Sequence, residues 1–101
     1  MKYGLSESNI NKMINVFKQS PEIEVALLYG SRAKGNYKPL SDVDMALKGK
    51  KLNLQILSRI SLKLDDLLLP YQFDLSIYHQ INNQELLDHI QRVGKTFYSS
   101  E

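Results

Sequence analysis

The chain has 101 residues, 43% of them hydrophobic and 24% charged, with a formal net charge of +2 and no cysteine. This excludes disordered, collagen-like and low-complexity classes, a disulfide framework and a thiolate metal site, and the charge is too small to imply nucleic-acid binding by itself. One domain over residues 1–101 with a modest core is expected. The longest strictly apolar run, Val25–Tyr29, is far short of the ~20 residues that span a bilayer, and Met1–Glu7 has no apolar signal-peptide stretch, so a cytoplasmic location without a membrane partner is expected.

In chain order, the pattern first predicts a helix over Glu7–Gln19. Ile10, Met13, Ile14 and Phe17 recur at i, i+3, i+4 and i+7 and share one face. Ser6 suits the N-cap, Leu5 and Ile10 are spaced as a hydrophobic staple, and Pro21 ends the helix. Glu24–Tyr29 reads as a strand, near-continuously apolar and therefore central and covered on both faces. Gly30 breaks it, Ser31–Gly35 has room for one helical turn, and Asn36–Ser41 is a loop containing Pro39. Asp42–Leu47 reads as a second strand, closed by the turn Lys48-Gly49-Lys50.

Leu54–Leu69 is the longest helix candidate, with Leu57, Ile60, Leu64, Leu67 and Leu68 on one side and Pro70 as its stop. Phe73–Tyr78 alternates apolar and polar residues, a third strand with one dry face. A last helix is predicted over Asn82–Val93, with Asn82 and Glu85 as a capping box, Leu86, Leu87, Ile90 and Val93 inward, and Gly94 as C-cap. Lys95–Tyr98 adds a short edge strand. The order α-β-α-β-α-β-α implies an α/β fold, a small mixed β-sheet packed on helices. The turn after the first strand is too short for a long crossover, so strands one and two are expected to run antiparallel.

The sharpest chemical signal is Asp42-Val43-Asp44. Aspartate is disfavoured in strands, and a period of two puts both carboxylates on one face with Cα atoms about 7 Å apart. Left alone they repel each other, and a divalent cation removes that repulsion; hard oxygen ligands suit magnesium. A solvated strand face is the alternative for the pair alone. Asp74 repeats the pattern in strand three: if strands two and three are neighbours, the three carboxylates form one surface able to hold two cations.

Gly30-Ser31 ends a buried strand where backbone can approach phosphate and a hydroxyl can donate to it. Arg32, Lys34 and Lys38 follow with no acid among them. No Walker A or G-x-G-x-x-G pattern is present. His79 and His89 lack metal spacing and read as surface residues. Tyr37 reads as an exposed loop residue, Lys48, Lys50 and Lys51 as a solvated turn, and Asp65 and Asp66 as solvated.

Taken together, Tyr29-Gly30-Ser31, ten residues, and then Asp42-Val43-Asp44-Met45 resemble the signature of the DNA polymerase β-type nucleotidyltransferase superfamily. Gly30–Gly35 with Ser41–Leu47 is similar to its minimal nucleotidyltransferase (MNT) branch, and Phe73-Asp74-Leu75 to the strand that supplies the third carboxylate. The resemblance spans nearly the whole chain, and the combined motif is far more specific than any of its pieces. It implies the polymerase β palm-like fold and magnesium-dependent transfer of a nucleoside monophosphate from a triphosphate, most simply AMP from ATP.

On that resemblance Asp42, Asp44 and Asp74 would hold the cations, with Asp74 also helping to activate the attacking hydroxyl. Gly30 and Ser31 would hold the β- and γ-phosphates, and Arg32 would add a phosphate contact. Larger members carry a further domain for the base and the acceptor. None is visible here, which implies an acceptor supplied from outside. Minimal members typically pair with a small helical protein of the HEPN type, a toxin, for which they are the antitoxin, and several are thought to add AMP to a tyrosine of that partner. The resemblance therefore implies a hetero-oligomer with such a partner, and because the basic excess near Arg32 and Lys34 is committed to phosphate, a nucleic-acid acceptor is not expected. The alternative is an antitoxin that neutralises its partner by binding alone.

Overall fold

The first helix, α1 (Glu7–Lys18), starts at Ser6, whose hydroxyl accepts the Asn9 amide proton at 3.1 Å. The computed structural model describes residues 1–101. After α1 come β1 (Val25–Tyr29), the one-turn helix α2 (Gly30–Lys34), β2 (Val43–Lys48), α3 (Leu54–Asp65), β3 (Phe73–Ile77), a 3₁₀ turn (Tyr78–Gln80), α4 (Gln84–Val93) and β4 (Lys95–Ser99). No helix is long and apolar enough to cross a membrane.

The end of α3 and the cap of α4 differ from expectation. α3 stops at Asp65 instead of Leu69. Leu67 and Leu68 donate back to Leu64 and Asp65, a 3₁₀-like tightening, and Leu68 then turns left-handed at φ 57°. Leu68 consequently lies 88% exposed and does not join the inward stripe. α4 is capped by Asn83, not Asn82: the Asn83 side chain accepts the Leu86 amide proton at 3.0 Å. Gly94 does close α4, but at φ −59°, so its contribution is space; a Cβ there would collide with the Ile90 carbonyl.

The sheet order is β3-β2-β1-β4. β1 runs antiparallel to β2, as the short connection required, and antiparallel to β4. β2 and β3 run parallel, because α3 carries the chain back across the sheet between them. The result is the expected small mixed sheet.

Ala26, Leu28, Val43, Met45, Leu47 and Ile77 project from one face into the main core, where they meet Met13, Val16 and Phe17 of α1 and Ile60 and Leu64 of α3. Leu27, Tyr29 and Ala46 project from the other face and meet Leu86, Ile90 and Val93 of α4. β1 is therefore covered on both sides. α1 and α3 form one helical layer, and α4 adds cover over part of the second face.

Phe17 ties α1 to the sheet edge. It is fully buried and packs edge-on against Phe97, with ring centroids 6.2 Å apart, and 5.9 Å from Tyr98. Phe17→Ala should cost about 3–5 kcal/mol, the usual range for emptying an aromatic site. The change should appear as a lower urea midpoint with an unchanged m-value.

Candidate functional site

The site begins with a row across three strands. Tyr29 of β1 is the register partner of Asp44 in β2, and Asp44 is the register partner of Asp74 in β3. All three side chains leave the second face of the sheet, opposite the main core, because Val43, Met45 and Leu47 take the first face. α4 covers that second face around Tyr29 and Ala46. Asp74 is exposed and Asp44 half-buried.

Asp42 is not a strand residue. β2 starts at Val43, and Asp42 is exposed at the end of the preceding loop. Three bonds hold its neighbours: the Ser41 carbonyl accepts two from Arg32, and the Val43 amide donates to the Gln72 carbonyl at 2.8 Å. Asp42 is still near enough for its charge to act on Asp44. Burial, and after it the charges of Asp74 and Asp42, push the Asp44 carboxyl above the ordinary aspartate range. Burial also pushes the Tyr29 phenol up, with Asp74 and Asp44 adding to this and a hydrogen bond from Ser76 opposing it.

Gly30 makes the next turn possible. Its φ is +75°, a left-handed conformation, and a Cβ there would collide with Oδ2 of Asp44. Glycine thus brings the end of β1 against the central carboxylate. The Gly30 amide donates to Nε2 of His89 at 3.1 Å, and the His89 ring sits edge-on to Tyr29 with centroids 6.0 Å apart. His89 is therefore part of the site and not a free surface residue. A sequence signal existed: His89 lies three residues after Leu86 and one before Ile90, at the border of the inward stripe. What could not be read was which sheet face that stripe covers. His79 is exposed, as expected.

Arg32 is corrected more fully. It is 1% exposed, and its guanidinium serves backbone carbonyls: Nε and Nη2 donate to Ser41 at 3.1 and 2.8 Å, Nη2 to Pro39 at 3.1 Å, and Nη1 to Tyr3 at 3.0 Å. Its faces lie against Tyr71 at 4.7 Å and Tyr37 at 5.4 Å. Buried, and with four of its five N–H donors given to backbone carbonyls, Arg32 is not presented to the open carboxylate surface as a phosphate contact would be. It folds the 36–41 loop and thereby delivers Asp42. Tyr37 belongs to this stack. Lys34 and Lys38 remain exposed.

The donor set suits magnesium in kind. It consists of carboxylate oxygens on adjacent strands, not drawn into a closed three-ligand cluster. Magnesium is typically held by one or two carboxylates and completes its shell with water and substrate phosphate, so an open site of this sort fits it.

Residues 11–101 match the family described as polymerase beta, nucleotidyltransferase. The chain belongs to this nucleotidyltransferase family. Solved structures agree on the fold. A toxin–antitoxin with AMP-PNP superposes with a TM-score of 0.74 at 23% identity, covering 92% of this chain and 75% of that one. A tri-AMPylated HEPN toxin of Shewanella oneidensis in complex with its MNT antitoxin gives 0.69 at 20%, covering 95% and 74%. The toxin–antitoxin MntA-HepT gives 0.68 at 21%, covering 94% and 74%. No curated protein matches the chain.

The strain in this nucleotidyltransferase row is measurable. Because the Asp44 carboxyl is raised on folding, the folded state binds its proton more tightly than the unfolded state. Stability of the cation-free fold therefore falls as pH rises from about 3.9, the ordinary aspartate value, through the raised value. In EDTA at pH 7, Asp44→Asn should melt above the parent, and the difference should close below that window, where both side chains are neutral. Identical melting curves at pH 7 would show that the row carries no repulsive strain.

Proposed function

We propose that the chain transfers AMP from ATP, with magnesium, to a hydroxyl of a helical partner protein, and that it acts thereby as the antitoxin of a two-component pair. The observation that carries this is the row in which Asp44 and Asp74 are register neighbours with the Gly30–Ser31 turn against Asp44. A carboxylate surface next to a glycine-serine turn supports this reading, because nucleotidyl transfer requires cations held beside the triphosphate. Membership of the nucleotidyltransferase family supports the reaction class. The neighbouring structures, one with AMP-PNP and one with a tri-AMPylated HEPN toxin, support the nucleotide and the kind of acceptor.

In this reading Asp42, Asp44 and Asp74 hold the magnesium ions, and the Ser31 hydroxyl and the turn hold the β- and γ-phosphates. When bound, magnesium supplies positive charge against the phosphates and the leaving pyrophosphate. The acceptor oxygen attacks the α-phosphorus, the bond to the bridging oxygen breaks, and pyrophosphate leaves. Asp74, exposed at the end of the row, takes part in removing the acceptor proton.

The openness of this face supports a macromolecular acceptor. Of the proposed site residues only Asp74 lines a cavity, beside Leu54, Leu57 and Phe73; Asp42, Asp44, Gly30 and Ser31 line none. A small acceptor needs an enclosing cleft, whereas a protein brings its own positioning contacts. A tyrosine hydroxyl on a HEPN-type partner is the acceptor the family resemblance implies.

Co-expression with the helical partner should yield a partner heavier by one AMP unit or a multiple in intact-mass spectra, and the adduct should be absent with Asp42→Ala/Asp44→Ala. ATP affinity should fall when EDTA replaces magnesium. A partner that stays unmodified, yet is bound and neutralised by the double variant, would support neutralisation by binding alone.

A further inference from the structure

We propose that His89 is a positioning residue of the nucleotide site: by accepting the Gly30 amide proton, it fixes the turn that presents Ser31 to the phosphates. This rests on the functional reading above. The first amides of a helix have no partner within it, and α2 begins at Gly30 with no side-chain cap from Tyr29. The Gly30 amide is nevertheless engaged, by a ring from an element 59 residues away. A backbone N–H can only donate, so Nε2 of His89 must accept, and the ring proton lies on Nδ1.

The turn needs such a tie. At φ +75° Gly30 has no side chain to restrict it, and a glycine peptide reorients at little cost. Asp44 closes one side of the turn by steric contact, and repels negative charge as it does so. His89 holds the other side by a directed bond. The ring is itself held, edge-on to Tyr29, on a helix anchored by the buried Ile90 against Tyr29 and Ala46. With the Gly30 amide so occupied, the next donor in the chain is Ser31, whose hydroxyl has no protein partner. α4 therefore sets the geometry of phosphate binding without touching phosphate, and losing the bond should raise KM for ATP more than it lowers kcat.

The test compares the full chain with His89→Gln, whose amide reaches the Nε2 position with an acceptor, His89→Phe, which keeps a ring against Tyr29 without one, and His89→Asn, whose amide falls near the Nδ1 position. Gly30 amide exchange is followed by NMR, magnesium–ATP affinity by titration, and transfer kinetics with the co-expressed partner. In His89→Phe and His89→Asn, Gly30 should exchange at least about tenfold faster and ATP should bind about five- to tenfold more weakly, the loss expected for one hydrogen bond. His89→Gln should restore both. Parental Gly30 protection and ATP affinity in His89→Phe would overturn the proposal, as would equal losses in Gln and Phe, which would assign the effect to ring packing. A parent that binds no ATP would overturn the functional reading itself, and Gly30 exchange in the same variants would still decide whether His89 holds the turn.

Discussion

The parallel pairing of β2 with β3, in the register that sets Asp44 opposite Asp74, is the constraint on which the rest of this molecule depends. It is held by apolar residues on the far side of the sheet. Val43, Met45 and Leu47 alternate with Asp44 and Ala46, and Phe73, Leu75 and Ile77 alternate with Asp74 and Ser76. A slip of either strand by one residue would expose that apolar set and bury the carboxylate. The hydrophobic core therefore specifies the acidic row.

That row runs against the economy of the fold. Asp44 and Asp74 share one face with Asp42 at its edge, and the half-buried Asp44 carboxyl is raised by burial first and then by the charges of Asp74 and Asp42. Local conflict of this kind tends to gather where function needs it. The same holds for Gly30, whose left-handed turn fits only because it lacks a side chain against Asp44. The compensation lies elsewhere: the buried Arg32 satisfies three carbonyls of the N-terminal segment and the 36–41 loop while stacked between two tyrosines. A cation in the interior offsets no acid there. It organises backbone that has no regular structure of its own.

Much of this was legible in the residues. α1 begins where Ser6 and the i, i+3, i+4, i+7 stripe placed it, β1 was readable from an uninterrupted apolar run, and the alternation through Phe73–Ile77 announced a one-sided strand. The errors were local competitions that a pattern does not resolve. Asn82 and Asn83 are both good caps, and the chain uses the one whose side chain meets the Leu86 amide. Leu67–Leu69 continues the leucine stripe of α3, yet the backbone leaves the helix ahead of Pro70, which disfavours helix in the residue before it. Asp42 obeys the period of two and still stands outside the ladder.

By itself, the sequence determined the family, through a glycine-serine turn after a buried strand, a spacer of ten residues, an Asp-x-Asp pair and a third aspartate in a later strand. These are local relations, set by the period of a strand and the freedom of a glycine. Only the tertiary structure decided which partners those groups meet. Arg32 reads as a free cation beside the acids, but its carbonyl partners come from Tyr3 and from the loop that folds back over it. His89 reads as a polar surface residue, but α4 packs on the carboxylate face and carries its ring to Gly30. A side chain's donors and acceptors are committed by what folding brings within 3 Å of them, and that depends on residues far away in the chain.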